Sequence, residues 1–119
     1  MPRNISFALT TDQIRNRTKT VTRRLGWKNL KAGDVLNACV KCMGLRKGEK
    51  PERICQIRVA DARQEVLENM DLEAYGKIEA TKEGFPHMTG SEFVGMFCEN
   101  MKCEPSTTVT RIEFEYLES

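Results

Sequence analysis

Apolar and polar positions alternate most clearly near the end of the chain. Over 107–117, Ile112, Phe114 and Tyr116 stand against Val109, Arg111, Glu113 and Glu115, which predicts a strand with one face on the core. Three other segments carry strand patterns. Residues 5–9 (Ile-Ser-Phe-Ala-Leu) predict a short buried strand, and 35–43 predict another, fed by a tight turn at Ala32-Gly33-Asp34. Residues 53–63 predict a third, with an irregularity near Gln56 where the alternation slips. The run 44–52 is charged and glycine-containing and predicts an exposed loop.

Helical spacing appears between these strands. Val66, Leu67, Met70, Leu72, Tyr75 and Ile78 predict a helix over 65–82, which Gly84-Phe85-Pro86 breaks. Thr10 and Gln13 have capping-box spacing and predict a short helix over 11–17 anchored by Ile14. Thr89 and Glu92 repeat that spacing and predict a helix over 90–101 with Phe93, Met96 and Phe97 turned to the core. No βαβ rhythm repeats. The sum is an α+β domain: a small, mostly antiparallel β-barrel with inserted helices, occupying 1–119 as one unit.

Composition narrows the class. Hydrophobic content of 39% and charged content of 30% fit one globular core with a well-solvated surface. No stretch approaches a bilayer-spanning apolar run, and the N-terminus carries no apolar signal segment, so a cytoplasmic location without membrane attachment is expected. Five cysteines, an odd number, argue against a disulfide framework. Cys39 and Cys42 form a C-x-x-C, but within a predicted strand their side chains point to opposite faces, and Cys98 and Cys103 lack the matching spacing. Core cysteine is the expectation, with no metal and no cofactor. His87, the single histidine, falls in the loop after Pro86.

Charge adds an asymmetry that the net value of +2 conceals. Residues 1–31 carry eight basic side chains against Asp12 alone, and the remaining chain is net acidic. Such a distribution suits an anionic partner approaching one side. The concentration peaks at Thr18-Lys19-Thr20-Val21-Thr22-Arg23-Arg24. Lysine offers phosphate a point charge, arginine a bidentate fork, and threonine a hydroxyl that a neighbouring base can turn into a nucleophile. In a regular strand Lys19 and Thr22 face opposite ways, so they converge only where the segment turns, bulges or is helical. The equal alternative is a solvated edge strand guarded by lysine and threonine. Trp27 and Phe85 are candidate stacking platforms for a base.

The order of these features resembles the ASCH domain family, whose fold is a PUA-like β-barrel. The resemblance runs from Ile5-Ser-Phe, through Arg17-Thr-Lys19-Thr-Val-Thr22-Arg-Arg24 and Lys31-Ala-Gly-Asp34, to Thr110-Arg-Ile-Glu-Phe-Glu115. The family signature is Gly-x-Lys-x-x-(Glu or Thr)-x-Arg; Lys19, Thr22 and Arg24 occupy its Lys, Glu/Thr and Arg positions, and Arg17 stands where the glycine is usual. The resemblance implies an RNA- or nucleoside-binding module. It also implies the activity of small bacterial members, hydrolysis of the N4-acyl amide of a modified cytidine by a lysine, a threonine and a glutamate. Lys19 and Thr22 match the first two, and Glu83 looks like the third. Arg23 or Arg17 would hold sugar or phosphate, Arg24 would line the substrate site beside Lys19, and Trp27 and Phe85 would lie against the base. The alternatives are a non-catalytic RNA-binding module and a ribonuclease using the same cleft.

Overall fold

The longest pairing in the computed structural model joins β4 (Arg53–Val66) and β5 (Thr108–Tyr116), antiparallel from Ile57↔Tyr116 to Val66↔Thr108. The structure describes residues 2–41 and 48–117. Around the central pair stand β1 (Arg3–Ser6), β2 (Val21–Arg24) and β3 (Val35–Cys39), in the sheet order β1-β3-β4-β5-β2. Only β1 against β3 is parallel; the other pairings are antiparallel. Two shifts in register, one opposite Ala38/Cys39 and one between Val59 and Asp61, give β4 an extra residue each time. A bulge bends its strand and raises the local twist. β4 can therefore serve β3 with one end and β5 with the other while the sheet curls into a half-barrel. The expected irregularity near Gln56 falls on either side of that residue, at Ile54 and Ala60.

This mixed architecture is the small, mostly antiparallel α+β fold that the patterning predicts, and it fits a PUA-like barrel. Several boundaries differ. The first strand ends at Ser6, and Ala8–Thr10 form a 3-10 turn leading into α1 (Thr11–Arg15). Thr10 makes no side-chain cap there. The helix read over 65–82 is three elements: the end of β4, a 3-10 turn over Leu67–Asp71, and α2 (Glu73–Lys82). Leu72 and Ile78, read as core positions, are exposed, because the buried side of α2 carries Gly76, Glu79 and Ala80 instead. α3 (Gly90–Met101) begins with the predicted capping box: Glu92 N donates to Thr89 Oγ1 at 3.1 Å and Thr89 N to Glu92 Oε1 at 2.9 Å. Cys42, Met43 and the first part of the 44–52 loop lie outside the described residues.

Two apolar clusters form the core. Ile5, Phe7, Ile14, Leu36, Ile57, Val59, Ile112 and Phe114 fill the concave side of the sheet. Leu67, Met70, Ala80, Phe93, Val94, Phe97 and Val109 join the helices to the far end of β4 and β5. The second cluster depends on a close approach. A Cβ at Gly76 would lie 1.9 Å from the Met70 carbonyl oxygen, and one at Gly90 1.8 Å from the same atom. Two glycines therefore let α2 and α3 settle on the turn that follows β4. No described helix is long and apolar enough to cross a membrane.

Candidate functional site

Lys19 precedes β2, in the extended link that follows α1. The chain enters this link through Arg17, whose φ of 62° lies in the left-handed region that favours glycine. Arg17 thus takes the backbone shape that the glycine of the ASCH signature would supply without strain. The turn also frees Lys19 from strand alternation, so Lys19 and Thr22 line the same cleft. The predicted convergence occurs because the segment turns before it becomes a strand.

The cleft holds about 300 Å³, at the small end for organic ligands. Lys19, Thr22, Arg24 and Glu83 stand together in its lining with the buried Arg23. The remaining wall is mostly apolar, with Phe7, Leu9, Phe85, Phe93, Met96 and Phe97 beside the hydroxyl residues Ser6 and Thr10. Phe85 lines the cleft, tilted against Phe93 at a centroid distance of 6.0 Å. Trp27 does not line the cleft; it packs against the concave core with the Arg3 guanidinium 4.2 Å over its ring. Arg17 also lies outside the lining, over the Tyr116 ring at 5.3 Å.

Lys19 is 2% exposed, and its amine donates to Glu83 twice, at 2.7 Å to the backbone oxygen and 2.7 Å to Oε1. Burial pushes the Lys19 amine below its usual range. Glu83 pulls it back up without restoring it, and Arg24 and Arg23 press it down further. Thr22 Oγ1 accepts a hydrogen bond from Arg24 Nε at 3.0 Å. The cleft thus combines a hydroxyl, an amine whose charged form burial disfavours and a carboxylate hydrogen-bonded to that amine. This is the set of groups that acyl transfer uses.

Behind the cleft lies a layer of buried charge. The Arg23 side chain is fully buried, and each edge of its guanidinium meets a carboxylate: Nε to Glu65 at 2.9 Å, one terminal nitrogen to Glu83 at 3.1 Å and the other to Glu79 at 2.6 Å. Arg23 therefore cannot present its fork to sugar or phosphate, as the sequence reading assigned it. Arg111 stands directly across the β2–β5 ladder from Arg23, and both cations bind Glu79, Arg111 at 2.6 and 3.2 Å. Like charges opposite one another in a sheet repel, and Glu79 relieves this by sitting between them. Tyr75 donates a short hydrogen bond to Glu65. Among the described residues, every buried side-chain nitrogen and oxygen has a partner. Burial pushes the Glu79 carboxyl up, but the hydrogen bonds from Arg111 and Arg23 outweigh it and hold the group down at about 2.

Glu65, Glu79, Tyr75 and Arg111 were missed by the sequence reading. One signal was present: Glu79 and Glu83 are one helical turn apart, flanked by the small Gly76 and Ala80, on the face opposite Ile78.

The fold recurs in solved structures. Protein EF3133 from Enterococcus faecalis V583, of family DUF984, matches with a TM-score of 0.63 at 16% identity, over 98% of this chain and 80% of that one. The hypothetical protein PH0355 matches with a TM-score of 0.65 at 18% identity, over 98% of this chain and 100% of that one. At such identities the likeness is one of fold. No family model and no curated protein sequence matches the chain.

Proposed function

We propose that the cleft binds a nucleoside or nucleobase and hydrolyses an N4-acyl amide of cytosine. The observation that carries this reading is the Lys19–Glu83 pair, buried in the wall of a cleft that Thr22 and Arg24 also line. In the reaction, Thr22 Oγ attacks the acyl carbon and its proton passes to the neutral Lys19 amine. The carbon–nitrogen bond then breaks, and the Lys19–Glu83 pair returns a proton to the leaving amine of cytosine. Water hydrolyses the resulting threonine ester, releasing the carboxylic acid and the free hydroxyl. Arg24 stabilises the oxyanion, and Phe85 offers a face to the pyrimidine.

The distribution of the basic residues supports a compact ligand over a long phosphate backbone. Lys19 and Arg23 are consumed in buried pairs, Arg15 binds Glu52, and Arg3, Arg17 and Arg24 each lie over an aromatic ring. Of the basic residues in 1–31, Lys19 and Arg23 are thus matched by buried carboxylates and Arg15 by an exposed one.

The test is incubation of the purified protein with N4-acetylcytidine, with cytidine followed by chromatography. Turnover is expected from the parent protein and background alone from Thr22→Ala and Lys19→Ala. A parent protein that releases no cytidine overturns the hydrolase reading. Salt-dependent capture of a short RNA by that inactive protein would instead favour the binding-module alternative.

A further inference from the structure

Resting on the hydrolase reading of the cleft, a second inference concerns a residue whose guanidinium is fully buried in the cleft wall. We propose that Arg23 is a positioning residue, whose guanidinium, pinned from behind by Glu65 and Glu79, fixes the Glu83 carboxylate that in turn holds the Lys19 amine.

The geometry is a division of labour across one carboxylate. Glu83 presents Oε1 to Lys19 at 2.7 Å and Oε2 to Arg23 at 3.1 Å. It follows directly after α2, where a carboxylate with only Lys19 as partner would be free to swing. Arg23 prevents this because its own orientation is overdetermined. The planar fork is locked at Nε by Glu65 and at the second terminal nitrogen by Glu79. Glu65 is held in its turn by Tyr75, and Glu79 by Arg111. The chain of contacts runs from the far side of the sheet to the cleft wall without an unpaired group. A lysine at position 23 would keep the charge and lose the fork, so it could not meet three carboxylates in one plane.

The charged groups facing the Lys19 amine are Glu83 from the end of α2 and Arg23 and Arg24 from β2. The 8–10 turn and α3 bring only Leu9, Thr10, Phe93, Met96, Phe97 and their non-titrating neighbours to the lining. This arrangement gives two substitutions opposite effects. Arg23→Gln removes a cation and leaves Glu83 wholly to Lys19, so the amine should hold its proton to higher pH. Glu65→Gln releases the back of Arg23, which then turns its charge more fully onto Glu83. The hold of Glu83 on Lys19 weakens, and the amine should lose its proton at lower pH. Loosening of the fold admits water and moves Lys19 upward in both variants, so it cannot produce the opposite signs.

The experiment is an NMR titration of the Lys19 side-chain 13Cε signal, assigned with Lys19→Arg, in the parent protein and both variants. The same proteins are assayed for kcat and KM with N4-acetylcytidine across pH. The expected result is a midpoint that rises in Arg23→Gln and falls in Glu65→Gln, with the ascending, low-pH limb of the rate profile, where the base loses its proton, following. In Arg23→Lys, kcat should drop by about tenfold or more, as small misplacements of a reacting group do, while KM changes little. Midpoints that rise in both variants, or that do not move, overturn the proposal. If Arg23→Gln does not fold, the fall in Glu65→Gln alone decides. A parent protein without turnover removes the hydrolase reading and leaves the titration as the measure of positioning.

Discussion

The two faces of β5 solve the problem of burial in opposite ways. On the concave side Ile112 and Phe114 are 0% and 3% exposed and pack into the apolar cluster, with Thr22 across the ladder from Ile112. On the other side Arg111 is 3% exposed and meets Glu79 and Glu113. The apolar face is held by area removed from water and tolerates loss in proportion to volume. The charged face is held by completeness. Each ion there lost its hydration on folding, and mutual pairing only offsets that cost when no partner is missing. The charged layer includes Glu83, which bridges Arg23 and Lys19.

This contrast can be broken or sharpened by experiment. The largest effect is expected from Glu79→Leu, which leaves Arg23 and Arg111 facing each other without the carboxylate between them. Urea denaturation should show a loss of about 3–5 kcal/mol. Pairing it with Arg111→Met should cost less than the sum of the two single changes, because the second substitution removes one stranded charge. Additive losses would mean that the layer is not one unit.

Acid should attack the same layer. Glu79 titrates at about 2 in the folded protein against an ordinary 4.5, so its charged form contributes stability that is complete above about 4.5. That contribution is lost as pH falls from about 4.5 toward 2 and amounts to about 3 kcal/mol at most. Thermal melts of the parent protein should steepen their decline across this window, and those of Glu79→Gln should decline less. Equal acid sensitivity in both would assign the loss to other carboxylates.

Next in size is Gly76→Ala, whose new methyl would meet the Met70 carbonyl oxygen. It should destabilise by about 1–3 kcal/mol and disturb the α3 wall of the cleft, seen as weaker ligand binding beside a lower Tm. The apolar face supplies the smaller reference: Ile112→Val should cost about 1 kcal/mol, leaving the titration of Lys19 unchanged. Arg17→Gly should change stability least, within about 1 kcal/mol, since relief of the left-handed backbone opposes the added freedom of the unfolded chain. A large loss there would mean that the Arg17 contact with Tyr116, not the backbone turn, holds the link.

The elements most legible in the chain were those whose pattern and partner are local. The β5 alternation needs only its own residues, and the Thr89–Glu92 box closes within one helical turn. The 65–82 spacing predicts an apolar helical face that the fold does not use. There the core position belongs to Glu79, and Leu72 and Ile78 face outward. A charge can occupy a core position only when distant residues neutralise it, and Arg23 and Arg111 lie 56 and 32 positions away in sequence. No periodicity records a partner at that distance.

What the sequence determined by itself was the α+β class, the capped α3, and the cluster from Lys19 to Arg24 as the place to look. Each follows from residue type and short-range spacing, which the chain carries wherever it goes. Only the tertiary structure decided how that cluster is used. The left-handed turn at Arg17 brings Lys19 beside Thr22. The Gly76–Gly90 contact lets α3 wall the cleft, and the carboxylates of β4 and α2 hold the Arg23 guanidinium in a buried network. Charge in a sequence has a sign but no direction. Direction comes from burial, where an ion without a partner is too costly to keep.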